Sequence, residues 1–431
     1  MKKRELGLLL IFLKPNEIDM HFSMIKSLKI LKLILPLYNF MKSLFTNCKL
    51  LLIIVFFLPS IIVYGQRIEF FKNYPTEKVR IDMYKMYGGT VSELIEEIKL
   101  IPLIPSPNVE LIDDVLFMQL FDNSLAFSNS RKNIFLYSYE GELLKHFTVK
   151  QLFPKLENYF RPVLKKENNN LVLVTKDHVI NINSSGNIIS SKSEKYNSSY
   201  EISFEIGNSK YQYKPSEINQ EVKRDFALLK NQKDTLIKYF EQDTINQVVS
   251  LGNPFLEFSN KFSFIKFSNN FKLFKLEESG ISKIIEFVFP IEHSINEEFY
   301  SLQSAEDQVK YFNDNRNLYL GIGNMLIHNK YLIFQIASLS HRLWIAYHTE
   351  TNKVINLSKI LPDSSIDYID FFKPWAQLYS DGEYLYNVIY PQDVNRGKNK
   401  CEEEKHIMRE EYAKLGDFKN PIIVKFKLKD F

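Results

Sequence analysis

From residue 115 onward the chain reads as short runs in which apolar and polar side chains alternate, separated by Gly, Asn, Asp or Ser. Alternation with a period of two marks half-buried strands. One unit recurs: an alternating run, a polar turn, then a second run. The first copy is 133–139, the turn Glu140-Gly141, and 142–147. The second is 178–183, the turn 184–187 and 188–190; the third is 226–229, 231–234 and 235–240. The fourth is 271–276, 277–280 and 281–287, and the fifth is 343–347, 349–353 and 354–357. Marked by Gly141, Gly186, Lys233, Gly280 and Thr351, the turns are 45, 47, 47 and 71 residues apart. The first three intervals match a four-stranded propeller blade, roughly 40–50 residues. The fourth exceeds 47 by 24 residues, and 292–315 is a polar, helix-prone stretch of that length, so it is read as an insertion. Gly and Asn fit these turns because tight hairpins need positive φ.

Further runs supply the remaining strands. After the fifth hairpin come 368–372, 383–389 and 421–428, three strands of a sixth blade. A spare strand, Ile98–Leu103, lies near the start of the repeating region. Pairing it with Ile422–Leu428 completes the blade and removes two open edges. The expected fold is therefore all-β: a six-bladed β-propeller of four-stranded antiparallel blades, closed by its N- and C-terminal strands, with short helical insertions. Residues 402–415 read as one polar helix before the last strand.

The N-terminus has a different character. Residues 50–58 are nine consecutive apolar residues, preceded by Lys42 and Lys49 and ended by Pro59-Ser60. That is too short for a bilayer span and suits the apolar core of a secretory signal. Val63-Tyr64-Gly65 offers small residues for cleavage before Gln66, and a start at Met41 gives a signal of 25 residues. The expected division is a leader at 1–65, an N-terminal extension at 66–95 and the propeller at 96–431. Cys48 precedes the apolar core, so no lipid attachment site is formed. Of 55 basic and 51 acidic residues, nine and three lie in the first 65, leaving 46 and 48 and a net charge of −2. No positive field remains to attract nucleic acid. One Cys, Cys401, survives and cannot form an internal disulfide, in keeping with an exported chain that does without bridges.

Several segments together resemble a family, the secreted six-bladed β-propeller proteins of bacteria, related in shape to NHL-type propellers. They are Glu97-Ile98-Lys99-Leu100-Ile101-Pro102-Leu103, the run 114–147 with its Tyr139-Glu140-Gly141 turn, 262–289, 324–357 and the closing 420–429. The resemblance implies the fold and export. The Gly-Pro-Gly-Glu-like segment that often follows the first blade in that family has no counterpart, since 148–160 contains no Gly.

Candidate chemistry is sparse. No nucleophile elbow, phosphate loop or His-Glu-x-x-His motif is present. Gly321-Ile322-Gly323 reads as a turn, and 313–317 lacks the Gly and the acidic residue of a calcium loop. His341 and His348, seven residues apart on one strand, are expected to face opposite sides. Trp344 and Trp375 are expected to pack blades, with stacking on a ligand such as a sugar as the functional alternative. Arg396, Lys398 and Lys400, followed by Glu402-Glu403-Glu404, read as a solvated loop and helix start. No catalytic, cofactor-binding or metal-ligating residues are assigned, and no cofactor is expected. The functional expectation is an exported, periplasmic or extracellular, monomeric module that binds a protein or carbohydrate. The alternative is a lyase or hydrolase acting on an extracellular polymer. Carboxylates or histidines gathered at the channel mouth would favour the enzyme, and an aromatic or apolar rim would favour binding.

Overall fold

The computed structural model describes residues 67–430 apart from 71–73, 83–85, 108, 131–132, 155–161, 176, 194–201, 216–223, 232–233, 242–254, 258–260, 267–270, 296–298, 300–301 and 303–304. The expected leader and the expected cleavage point after Gly65 lie outside the described residues.

Three strands precede the blades: β1 (Arg67–Phe70), β2 (Thr76–Arg80) and β3 (Ile95–Pro102). Blade 1 is β4 (Leu116–Leu120), β5 (Ser124–Ser128), β6 (Asn133–Ser138) and β7 (Leu143–Thr148). Blade 2 is β8 (Val163–Glu167), β9 (Asn170–Val174), β10 (Val179–Ile182) and β11 (Ile188–Lys192). Blade 3 is β12 (Ile202–Ile206), β13 (Ser209–Pro215), β14 (Arg224–Lys230) and β15 (Asp234–Glu241). Blade 4 is β16 (Phe255–Glu257), β17 (Phe262–Lys266), β18 (Lys272–Glu277) and β19 (Gly280–Val288). Blade 5 is β20 (Ile322–His328), β21 (Tyr331–Ala337), β22 (Arg342–His348) and β23 (Val354–Asn356). Blade 6 is β24 (Tyr379–Ser380), β25 (Leu385–Ile389) and β26 (Ile422–Leu428), completed by β3. Within each blade the strands pair in chain order, and first strands meet first strands across blades, β4 with β8 and β24, and β20 with β16 and β24. The first strands therefore surround the axis. The protein is a six-bladed β-propeller.

All five recurring hairpins are third-to-fourth-strand hairpins, including the third, where β14 pairs with β15. The sixth is made by the chain ends: Ile422 pairs with Pro102 and Phe426 with Ile98. The N-terminal extension contributes more than a lead-in. β1 adds antiparallel to β15, and β2 adds parallel to β19, giving blades 3 and 4 a fifth strand outside the expected four.

Two expectations need correction. Residues 368–372 form no strand: Asp367 and Tyr368 both take left-handed backbone (φ 51° and 55°), which breaks an extended run, and the innermost strand is the later, two-residue β24. The single helix at 402–415 is two helices. With the insertion helix α1 (Ala305–Asp314) these are α2 (Pro391–Glu403) and α3 (Glu410–Leu415). Helix α2 starts at Pro391, whose missing N–H costs nothing in a first turn, so Arg396, Lys398 and Lys400 lie in a helix and not in a loop. The insertion expected at 292–315 holds α1 and a 3-10 turn at Ile291–His293.

The core lies between blades. Separate apolar clusters fill the junctions of blades 1 and 2, 3 and 4, 4 and 5, 5 and 6, and 6 and 1. Because both faces of a blade are covered, its middle strands lose alternation; all seven residues of β21 are buried. Each such Leu, Ile or Phe contributes about 1.5–3 kcal/mol of burial.

The periodic glycines sit where one blade touches the next. Gly141, Gly186 and Gly280 have φ of 85°, 82° and 129°. Each lies on the outer strand of the blade before it. A Cβ on Gly141 would come 2.0 Å from the Pro102 carbonyl oxygen, one on Gly186 2.6 Å from Lys145 Cβ, and one on Gly280 4.0 Å from Leu236. In blades 3 and 5 Asn231 (φ 50°) and Asn352 (φ 60°) take the left-handed position instead. Gly141→Ala should therefore lower stability by strain, about 1–3 kcal/mol, plus an overpacking cost of about 1–3 kcal/mol. Gly382→Ala, at φ 101° but with nothing within 4 Å, should cost only the strain. Equal losses in urea melts would show that the contact with Pro102 does not matter.

The end of β26 and the residues after it are clasped by blade 5. The Leu428 N–H donates to His328 Nε2 (3.0 Å), Tyr331 Oη donates to the Lys429 carbonyl (3.0 Å), and His348 Nε2 lies 2.9 Å from Asp430 Oδ1. His328 is fully buried. Burial pulls its pKa down to about 4; Lys427 lowers it further and Asp381 raises it. The folded state thus resists protonation that the unfolded chain accepts near 6.5, so stability is present above that value and is lost as pH falls from 6.5 towards 4. The loss should approach about 3 kcal/mol. His328→Gln, which keeps an acceptor for Leu428, should show a smaller loss between pH 7 and pH 4.5 in urea melts, and parallel losses would remove His328 from the account.

Candidate functional site

Antiparallel alternation sorts the connections onto two faces. One face carries the short first-to-second and third-to-fourth turns. The other carries the second-to-third loops and the links between blades. Both insertions, α1 and the pair α2–α3, fall on this second face, where loops on a rigid frame are free to carry recognition.

The innermost strands are irregular at this face. In β4, Leu116 pairs with Ser128 but Gln119 with Ala126, so one extra residue bulges; in β20, Ile322 pairs with Ile336 but Met325 with Phe334. Bulges re-aim side chains. In β20 the bulge falls at Gly323, where a Cβ would lie 3.1 Å from the Gln335 carbonyl oxygen. In β4 it falls at Phe117, an aromatic residue held at φ 53° and 48% exposed. Left-handed backbone at such a residue costs of order 1–3 kcal/mol. Between the two bulged strands stands blade 6, whose innermost strand β24 has only two residues. The innermost layer is thus irregular or short at blades 5, 6 and 1 on this face.

The residues leading into β24 lie on this face, in the link from blade 5 to blade 6. Trp344 is fully buried and its Nε1–H donates to the Ala376 carbonyl (3.2 Å), fixing the turn that holds Trp375. Trp375 is 57% exposed, and the Arg342 guanidinium lies over its ring at 5.3 Å. Tyr379 Oη donates to Gln377 Oε1, and burial pushes the Tyr379 phenol up to about 12, so it remains a donor. Behind the bulge of β20, Lys266 is 2% exposed and donates from Nζ to the Ile322 carbonyl (2.8 Å). Burial draws its pKa down to about 7.

Carboxylates also gather on this face, and the fold uses them. Asp113 accepts from Asn129 Nδ2 (3.1 Å) and Ser130 Oγ (2.8 Å), and Asp114 from the Ser130 N–H (2.6 Å). Asp393 is buried against Lys373 and Arg396 and accepts from the Tyr390 N–H (2.9 Å). Asp367, also buried, accepts from His406 Nε2 (2.8 Å) and Arg409 Nε (2.8 Å), which pins the break between α2 and α3. Among the described residues no group of three or more His, Cys, Asp or Glu converges to hold a metal ion.

The histidines singled out in the sequence do not meet. His341 lies at the start of β22, with Nδ1 2.7 Å from Ser340 Oγ and Nε2 3.2 Å from Tyr319 Oη, while His348 ends the same strand. Asn315 and Asn317 bond to the Tyr311 carbonyl and to Ser340 Oγ. Gly321-Ile322-Gly323 turns into β20. The Trp344 expectation of blade packing holds; Trp375 is exposed instead, because it sits in the turn above the blade and not in a strand. Sequence reasoning missed Phe117, Lys266, Arg342 and Gln377, for which no local signal exists. A second opening, a cleft of about 810 Å³ on the turn face between blades 3 and 4, is lined by Lys230, Lys261, Glu277 and Glu278, with Glu277 bridged to Lys275 at 2.7 Å.

No protein-family model matches the chain, and no curated protein is similar in sequence. Among solved structures, a Bacteroides fragilis protein assigned as exported is similar in fold, with a TM-score of 0.53 at 10% identity over 82% of this chain and all of that one. A DUF4221 family member from Bacteroides vulgatus (TM-score 0.40, 12% identity, 78% and 98% covered) and a streptogramin B lyase (TM-score 0.33, 10% identity, 77% and 98% covered) are more distant. At these identities the likeness shows the fold. Among the described residues no helix is long and apolar enough to cross a membrane.

The buried Lys266 generates a test. Its folded pKa is depressed, so the folded protein gains stability as pH rises from 7 towards 10.5, by up to roughly 4 kcal/mol. Lys266→Met should flatten the stability profile between pH 7 and pH 10. A variant profile that still rises in parallel with the wild type would show that Lys266 is not the group titrating.

Proposed function

We propose that this protein is an exported, non-enzymatic binding module that engages a protein or carbohydrate at the channel mouth beside blades 5, 6 and 1. The observation that carries this reading is Phe117, an exposed aromatic held in left-handed backbone on an innermost strand. Strain of this kind persists where surrounding structure enforces it and clusters at functional positions. The exposed Trp375 adds a second aromatic residue on the same face, and the nearby Asp113, Asp114, Asp367 and Asp393 are engaged in holding loops. Export rests on the signal-like segment at 50–65, with 66–95 and 96–431 as the remaining parts of a monomeric chain.

The test is binding of purified protein to a defined panel of envelope polysaccharides and peptides, with release of reducing ends or peptide fragments followed in parallel. Binding without turnover is expected. Phe117→Ser combined with Trp375→Ala should weaken binding at least tenfold, whereas Glu278→Ala on the opposite face should not. Catalytic breakdown of a polymer would overturn the reading in favour of a lyase or hydrolase. Equal losses from variants on the two faces would overturn the assignment of the mouth.

A further inference from the structure

The exposed Trp375 lies beside the Arg342 guanidinium, which has no carboxylate partner among the described residues. We infer that Arg342 and Trp375 form a subsite for an acidic sugar, a pyranose ring bearing a carboxylate, within a polysaccharide that lies across the mouth. This inference rests on the binding reading above and adds the chemical class of the ligand.

The placement is built by the blade. Arg342 and Trp344 are two residues apart on β22 and so share a side of the strand. Trp344, buried below, fixes the Ala376 carbonyl, and Arg342, at the end of the strand, covers the neighbouring Trp375 ring. The Arg342 guanidinium is exposed beside the Trp375 ring, and its N–H donors form the planar fork that matches a carboxylate. Among the described residues no carboxylate forms an ion pair with Arg342, unlike Lys373, Arg396 and Arg409 on the same face, which are bound to Asp393 or Asp367. The exposed part of the Trp375 ring offers what the C–H face of a sugar stacks on. From there 375–379 leads inward to Gln377, exposed and held by Tyr379, and then to Phe117 on β4, next to which Tyr379 packs. An aromatic ring with a cation beside it, an exposed amide and a second exposed aromatic residue thus lie along the chain path into β24 and its neighbour β4, groups of the kinds that bind the rings of a polysaccharide. An acidic peptide would instead draw on a strand edge for main-chain hydrogen bonds, and β24 provides two residues.

The experiment uses the two tryptophans as reporters, since only Trp375 is exposed. Purified protein is titrated with trigalacturonate, with neutral galactotriose and with a tri-glutamate peptide, following tryptophan emission and its quenching by acrylamide. Trigalacturonate is expected to shift the emission, to protect Trp375 from quenching, and to bind at least tenfold more tightly than galactotriose. That advantage should shrink at high salt. Arg342→Gln should bring the two sugars within about twofold of each other, and Trp375→Phe should remove the spectral response while the fold, followed by circular dichroism, is unchanged. Equal binding of acidic and neutral sugars that is lost in Phe117→Ser overturns the acidic-sugar inference and leaves the mouth reading standing. Tighter binding of the peptide overturns it in favour of a peptide ligand. Binding of trigalacturonate that survives both Trp375→Ala and Phe117→Ser overturns the inference and the mouth reading together, and absence of binding by all three probes overturns the inference.

Discussion

A ring of sheets cannot grow blade by blade without carrying two open edges until its last contact forms. Here that contact is the pairing of Ile95–Pro102 with Ile422–Leu428, which joins residues more than 300 positions apart. Other features of the fold are arranged around it. The hairpin of blade 1 rests its Gly141 on Pro102, so the first blade docks on a strand that exists in place only once the ring is closed. Asn420, buried just before β26, accepts from the Ile112 N–H (3.0 Å) and donates to the Leu103 carbonyl (3.0 Å), locking the link from blade 6 to blade 1. The clasp of Leu428–Asp430 by His328, Tyr331 and His348 ties the end of the closing strand to blade 5. Non-local closure of this kind makes the rest cooperative, since every interblade core needs both neighbours in position.

The parts of the fold legible in the sequence are those with strong local requirements. Third-to-fourth-strand hairpins were legible because their turns demand positive φ and, at Gly141 and Gly186, leave no room for a side chain. The strands in them carry enough apolar residues to stand out. Innermost strands were not, because they are short, bulged and partly open to the channel: β24 has two residues, and β4 gives up alternation at Phe117. The run 368–372 has the composition of a strand, and only the left-handed Asp367 and Tyr368 stop it being one. Neither is a Gly or Asn, so nothing announced the break. That conformation is enforced by Asp367's partners His406 and Arg409, 39 and 42 residues away. The short β1 and β2 went unread because each borrows its register from a blade more than 150 residues distant.

The candidate site was less legible still, for a related reason. Trp344 and Trp375 are the same residue type, and the sequence could offer only the same two readings for each. What separates them is that one lies within a strand packed between blades and the other in a turn held above it, its position set by the first one's indole N–H. Arg342 has no local motif, and its meaning comes from the ring beside it and from the absence of a partner carboxylate among the described residues. Lys266 would pass as an ordinary surface lysine at the end of a strand; only the fold shows that it is buried and directed at the Ile322 carbonyl beside the bulge.

The two faces of the ring are under different constraints, and that difference locates function better than any single residue. On the turn face, hairpins rest on the preceding blade, with glycine contacts that admit no side chain at Gly141 and leave little scope for change. On the other face run the links between blades, and both insertions occur there. The buried Asp367 and Asp393 hold the α2–α3 insertion in place by charged hydrogen bonds. On this face the protein retains two features that stability alone does not favour: a phenylalanine in strained backbone, and an exposed tryptophan beside a guanidinium that forms no ion pair among the described residues. A frame that is rigid, closed and packed elsewhere can tolerate such costs locally, because the surrounding blades over-determine the positions of the strands that carry them.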